Sequence, residues 1–382
     1  MTAVAEPTAP APSAAPTDPV ATFKAVLRKA VEIDASDIHI SAGGPFRLRV
    51  RGQIASVSNL GILSAESTAR IAAEILVSAR KATPETVDAQ LRGLREVDCS
   101  YSLAGAGRFR VNLCSQRGSI AAVLRNIPTT QPDLEQLGLP SVVRDLAMED
   151  RGLILVTGIT GSGKSSTLAS MLAHVNRIKA AKVVTIEDPI EFLHQDERCT
   201  ILQRELGGDT DSFAGALRAA LRQDPDIIMV GEMRDRETID IALKAAETGH
   251  MVFSTTHTTD AIKTITRLIS VFEPAEQVSI RQRLSETLRA VISQRLLPRK
   301  DGTGRVVAVE IMRNTATVEE LIADPERTTE IKDLIAQGKS QYGMQTFDQH
   351  LTELYHAELI ALEVATAAAT SPADFARNLQ FQ

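Results

Sequence analysis

Tryptophan is absent from the 382 residues, and aromatic residues make up only 3%, so stacking platforms for single-stranded nucleic acid are scarce. The three cysteines, Cys99, Cys114 and Cys199, lie far apart and form no CxxC pair. That spacing argues against a disulfide framework and against a structural zinc site, and it fits a reducing cytoplasm. No apolar run approaches the roughly 18 residues that span a bilayer. Positive charge is not in excess: 42 Lys and Arg against 48 Asp and Glu give a net charge of −6. No global basic field therefore invites nucleic acid. The N-terminus lacks a charged region followed by an apolar core, so no secretory signal is read there.

What the chain does have is a change of pattern along its length. Residues 1–20 are an Ala/Pro/Thr-rich stretch with little to bury, expected to be a disordered tail. Residues 21–127 read as a small α+β domain. Phe23, Val26, Leu27, Ala30 and Val31 share a helical face, and residues 62–76 form a second helix with Ser64 as N-cap. Strand patterns cover 38–41, 47–51, 97–103, 108–115 and 121–127. Asp37 and His39, two apart, share one strand face; two ligands are too few for a metal site, so a satisfied structural pair is expected. Residues 128–132 (PTTQP) read as a linker and natural hinge. From 133 to 312, apolar runs at 153–157, 183–187, 227–230 and 251–255 are separated in part by helical segments. This is the pattern of a parallel sheet wrapped by helices. Residues 313–382 read as helical.

The stretch LILVTGITGSGKSSTLASML, residues 153–172, organises that second region. An apolar strand leads into G-x-x-x-x-G-K-[ST] at Gly158, Gly163, Lys164 and Ser165. Leu168, Met171, Leu172 and Val175 then recur at helical spacing. Strand, glycine loop and helix together make a phosphate cradle: glycines let backbone amides curl around an anion, and the helix N-terminus adds positive charge. The cradle comprises Gly158, Ile159, Thr160, Gly161, Ser162, Gly163, Lys164, Ser165 and Ser166. Lys164 is expected to reach the β/γ-phosphates and the Ser165 hydroxyl to sit on Mg²⁺.

Open parallel sheets bind ligands beyond the carboxyl ends of their strands. Polar groups at three such ends are therefore candidates: Glu187, Asp188 and Glu191; Glu232, Arg234 and Asp235; His257 and Thr258. Cleaving a phosphate needs an aimed water, a metal, and positive charge where the γ-phosphate charge develops. Glu232 is the candidate base, Glu187 and Asp188 candidates for the Mg²⁺ hydration shell, and His257 for a hydrogen bond to the γ-phosphate. His250 is divided evenly between turn structure and site.

Four ordered boxes resemble the secretion-superfamily ATPases, and among them the type IV pilus retraction (twitching motility) ATPases. They are GITGSGKSS (158–166), TIEDPIEF (185–192, the Asp box), DPDIIMVGEMRD (224–235, Walker B) and ETGHMVFSTTHTTDA (247–261, the His box). ASDIHISAGGPFRLRVRG (35–52), GRFRVN (107–112) and GMQTFDQHL (343–351) extend the likeness over roughly residues 21 to 360. The resemblance implies a RecA-like P-loop NTPase core, a small N-terminal α+β (PAS-like) domain and a helical C-terminal region. It implies a homohexamer that hydrolyses ATP with Mg²⁺ at subunit junctions. Arg110 and Arg125 would supply charge to a neighbour's γ-phosphate, and Gly231 would replace the usual Walker B Asp, leaving Glu232 as base. Implied partners are an inner-membrane pilus platform protein, the pilin fibre indirectly, and a paralogous motor ATPase. Location would be cytoplasmic, peripheral to the inner face of the membrane.

One departure stands out. Where the family's retraction motors carry an AIRNLI-like helix, this chain has TATVEELIA (315–323), with Glu319 and Glu320 replacing an Arg-Asn pair. That leaves hydrolysis untouched and bears on retraction. An accessory motor and a nucleotide-gated docking module are the rival readings. An assembly motor would carry a four-cysteine zinc insertion, and a ring helicase would want basic charge.

Overall fold

The computed structural model describes residues 18–379; most of the expected tail, residues 1–17, lies outside them. The chain divides into two compact units after Thr129.

The first unit runs α1 (Pro19–Glu32), β1 (Ala35–Ile40), β2 (Arg47–Val50), β3 (Gln53–Ser56), α2 (Ala65–Ser78), α3 (Val87–Gly93), β4 (Glu96–Leu103), β5 (Gly107–Gln116) and β6 (Ser119–Ile127). Helix α1 starts inside the stretch expected to be tail. The Asp18 carboxylate accepts from the Val20 amide at 3.1 Å, and Pro19 occupies the first turn, where its missing N–H costs nothing. Ser64 caps α2 as expected, accepting from the Ser67 amide at 3.0 Å. Strand β3, all four residues exposed, has no apolar alternation to announce it. The sheet order is β3-β2-β1-β6-β5-β4, every pair antiparallel.

Its register aligns two rows across four strands. Leu48, Ile38, Leu124 and Val111 are mutual partners and all are buried. One residue along, Arg49, Asp37, Arg125 and Arg110 form the adjacent row, which the two-residue repeat of a strand turns to the other face. Asp37 pairs with arginine: Arg125 Nε donates to Oδ1 at 3.0 Å, and Arg49 Nε lies 3.5 Å from Oδ2. Burial opposes its charge, yet the Ser36 hydroxyl and Arg125 outweigh burial and hold its pKa below the usual carboxylate range.

The second unit holds α4 (Val142–Ala147), β7 (Gly152–Thr157), α5 (Lys164–Ile178), β8 (Lys182–Glu187), β9 (Thr200–Glu205), α6 (Phe213–Ala220), β10 (Ile227–Val230), α7 (Arg236–Glu247), β11 (Met251–Thr256), α8 (Ala261–Ser270) and α9 (Pro274–Thr287). The strands β12 (Leu288–Pro298) and β13 (Arg305–Arg313) follow, then α10 (Ala316–Ala323), α11 (Ile331–Gln337), α12 (Lys339–Tyr342), α13 (Phe347–His356), α14 (Leu362–Ala368) and α15 (Pro372–Leu379). The sheet order is β13-β12-β7-β11-β10-β8-β9. Strands β12 to β9 run parallel and β13 antiparallel. Every residue of β7 is buried, because helices cover both faces: Leu153 and Leu155 enter one apolar layer, Ile154 and Val156 the other.

Three strands, β9, β12 and β13, go beyond the four runs read from sequence. The linker is also more tied down than a hinge needs. Gln131 Nε2 donates to the Leu193 carbonyl at 2.6 Å, and Ser170 Oγ donates to the Pro132 carbonyl at 2.5 Å. Its last two residues therefore belong to the packing of the second unit.

Candidate active site

Strand β7 ends at Thr157, whose hydroxyl donates to Ser293 Oγ at 2.9 Å, and the chain turns through Gly158 at φ 144°. A Cβ there would meet Ser162 Oγ and would lie 2.6 Å from the Gln294 carbonyl, so only glycine lets the loop turn this tightly. Gly161 and Gly163 also take positive φ, and Gly163 leads directly into α5. The first amides of a 15-residue helix thus open onto the loop. Lys164, the first helical residue, is buried, and its Nζ donates to the Gly158 carbonyl at 2.8 Å and the Ile159 carbonyl at 3.0 Å. Burial lowers its pKa, while the nearby Glu191 and Glu232 carboxylates pull the other way. The Ser162 hydroxyl is buried with no protein partner. Ser165 and Ser166 follow on α5, half-buried, while Ile159, Thr160 and Gly161 are exposed on the loop. A loop too tight for a Cβ, a lysine at its mouth and an orphaned hydroxyl fit an anionic phosphate chain.

The order β7-β11-β10-β8 brings the other boxes to the same edge. Thr157 is the partner of Thr256, and Val230 of both Ser254 and Ile186. The ends are laced together: Thr255 Oγ1 donates to the Gly231 carbonyl at 2.7 Å, and the Gly231 amide donates to the Ile186 carbonyl at 2.8 Å. A Cβ on Gly231 would lie 3.2 Å from the Ile186 carbonyl and 3.4 Å from Glu187 Cα, so a side chain here would press on the backbone of the neighbouring strand end.

Glu232 Oε2 takes the edge of His257, with Nε2 at 3.2 Å, and of Arg234, with Nε at 2.5 Å. His257 is thus bound to the candidate base. Glu187 is buried: Thr185 Oγ1 donates to its Oε1 at 2.6 Å and Gln203 Nε2 to the same atom at 3.1 Å. Burial pushes its pKa up to about 6, against the lowering effect of Thr185, Gln203 and the Glu191 amide. Asp188, next along, is exposed. His250 belongs to turn structure: its Nδ1 lies 2.9 Å from the Ala245 carbonyl and its own carbonyl accepts from Gly152.

Arg110 and Arg125 lie in the first unit, and both are exposed. They are direct cross-strand partners on β5 and β6, so fifteen residues of sequence return to adjacent positions.

Two glutamines escaped the motif reading. Gln203 on β9 touches Glu187. Gln294 on β12 donates from Nε2 to Thr167 Oγ1 of α5 at 3.0 Å, and its backbone carbonyl crowds Gly158. Neither belongs to a motif, and each is placed by strand pairing alone.

A family model described as type II/IV secretion system protein matches residues 13–379. The chain belongs to that family. Within it the chain stands with PilT- and PilU-type pilus ATPases. It is 45% identical over 341 residues to the type IV pilus retraction ATPase PilT of Pseudomonas aeruginosa, covering 89% of this chain and 96% of the relative. To the type IV pilus ATPase PilU of the same organism it is 39% identical over 352 residues, covering 92% and 90%. A crystal structure described as the pilus retraction motor PilT with bound ADP superposes with a TM-score of 0.80 at 42% identity, covering 93% of this chain and 99% of that one. The family match spans both units. Among the described residues no helix is long and apolar enough to cross a membrane.

Proposed function

We propose that the protein is an ATP-hydrolysing motor that powers type IV pilus retraction. The observation that carries this reading is the meeting, at one sheet edge, of the Gly158–Lys164 loop, the Glu232–His257 pair and Glu187. A complete phosphate loop suffices for binding, whereas a carboxylate held beside it suits turnover.

In this reading, backbone amides of residues 158–166 and Lys164 hold the phosphates; Ser165 with Asp188 would hold Mg²⁺, which would supply charge neutralisation on the phosphates. Glu232 takes the proton of the attacking water. His257, bonded to Glu232, aligns it and reports the γ-phosphate. Glu187 would orient water around Mg²⁺ when the ion is bound. Arg110 and Arg125, on a strand face of the first unit, are delivered to a neighbouring subunit's site, where arginines stabilise charge developing on the phosphate. Six copies form the ring, with each N-terminal domain against the next subunit's core. The ring works in the cytoplasm against an inner-membrane platform protein, acts on the pilin fibre through it, and operates beside a paralogous motor.

Helix α10 favours a second reading, an accessory motor. Val318, Leu321 and Ile322 are its buried side, while Glu319 and Glu320 stand where the resemblance expects Arg-Asn. Complementation of a retraction-null strain separates the two. Restored twitching and normal pilus length support the principal motor; persistent hyperpiliation despite ATP turnover supports the accessory one.

A further inference from the structure

Strand β9 is an edge strand that pairs in parallel with β8, and its register is informative. Thr185 is the partner of Gln203, and Glu187 of Glu205. Side chains repeat every two residues along a strand, so Thr185, Glu187 and Gln203 must share one face. The Gln203 amide then makes three hydrogen bonds. Its Nε2 donates to Glu187 Oε1 at 3.1 Å and to the Phe192 carbonyl at 2.9 Å, and its Oε1 accepts from the His194 amide at 2.8 Å. Two donors and one acceptor on a single planar group are what an amide offers and a carboxylate or aliphatic chain does not.

The loop it grips is the one that leaves the Asp box. That loop has other anchors. Gln131 donates to the Leu193 carbonyl. Asn176, on the P-loop helix, donates to the Gln195 carbonyl at 2.7 Å and accepts from the amides of Glu197 and Cys199, each at 3.1 Å. If the loop needed only tethering, Gln131 and Asn176 supply it. Of the three anchors, Gln203 is the one that also reaches the Glu187 carboxylate.

We propose that Gln203 is a positioning residue for phosphate cleavage: its amide fixes the orientation of Glu187 and the backbone of residues 192–194 as one unit. It touches neither nucleotide nor metal in this scheme and acts through Glu187. The inference rests on the hydrolytic reading of the site and adds a residue to it.

The test uses the full chain with Gln203→Leu, the isosteric Gln203→Glu, Glu187→Ala, and the double variant Glu187→Ala/Gln203→Leu. Phosphate release and ADP affinity are measured for each. Both Gln203 variants should lose about tenfold or more in kcat while ADP affinity stays within about twofold, the pattern of a group that matters in the transition state. In the Glu187→Ala background, Gln203→Leu should cost less than about threefold further, because residues acting as a unit are not additive. Losses that multiply in the double variant would overturn the assignment, as would an equal loss of ADP affinity and turnover in both Gln203 variants. Normal turnover by Gln203→Leu overturns it while leaving the hydrolytic reading intact. No turnover by the unchanged protein overturns the hydrolytic reading and this inference with it.

Discussion

Glu232 and His257, carried by neighbouring parallel strands, meet at 3.2 Å through Oε2 and Nε2, beside a P-loop whose lysine feels the Glu232 charge. An imidazole so placed fixes the carboxylate's rotamer. Because the histidine ring is half exposed at 47% of its side chain, its loss should not disturb packing. His257→Ala is therefore expected to lower kcat by about tenfold to a hundredfold, within the range of general acid–base assistance. Nucleotide affinity and melting temperature should stay near the unchanged values. Steady-state kinetics with parallel calorimetry checks this.

Arg110 and Arg125 are cross-strand partners in the unit that lacks the P-loop. If they serve a neighbour's site, two inactive proteins can rescue each other. Arg110→Ala keeps an intact core, and Lys164→Ala keeps an intact arginine. Each alone should release little phosphate. Mixed and reassembled, they should recover a measurable fraction of normal turnover, because some junctions combine the good half of each. An arginine acting within its own subunit gives no recovery at any ratio.

Glu310 on β13 is buried with its Oε1 accepting the Ala261 amide at 3.0 Å, next to Asp260. Burial pushes its pKa up to about 7; the Ala261 amide lowers it and Asp260 raises it further. A carboxyl whose folded pKa lies above its unfolded value of 4.5 binds more protons when folded. Its effect is to erode stability as pH rises from about 4.5 through about 7, and to be neutral below. Glu310→Gln keeps an acceptor for Ala261 without the charge. It should stabilise the second unit by about 3 kcal/mol at pH 8, since a pKa raised from 4.5 to about 7 is worth about 1.4 kcal/mol for each pKa unit. At pH 4 it should change little. Thermal melts at the two pH values read the difference.

On α10, Arg281 Nη1 from α9 donates to the Ile322 carbonyl at 2.7 Å and so caps the helix from outside, leaving Glu319 and Glu320 out of its support. The double change Glu319→Arg and Glu320→Asn should therefore leave phosphate release within about twofold, as surface substitutions usually do. Pilus length and twitching in a retraction-null strain are the outputs free to change.

The four boxes were legible because each chemical task imposes residue types in a short stretch. A phosphate loop needs its glycines and lysine within eight positions, and Gly158 shows why no other residue serves there. Fold class followed from the same runs, since buried parallel strands such as β7 are apolar throughout. The strands missed lack such marks. β9 reads TILQRE, a half-polar edge strand, and β12 follows α9 at Thr287 and Leu288 with no glycine or proline between them. Gln203 and Gln294 depend on which strands become neighbours, and that is a property of the whole sheet. Even the arginine pair was readable only as a spacing; its opposition across β5 and β6 comes from register.

The most direct measurement of the account is phosphate release from ATP by the full chain, compared with Lys164→Ala and Glu232→Gln. The unchanged protein should turn over; Lys164→Ala should lose both nucleotide binding and turnover. Glu232→Gln should bind nucleotide normally and release phosphate at least about a hundredfold more slowly, as expected on losing a general base. Equal rates for the unchanged protein and Glu232→Gln would contradict the account.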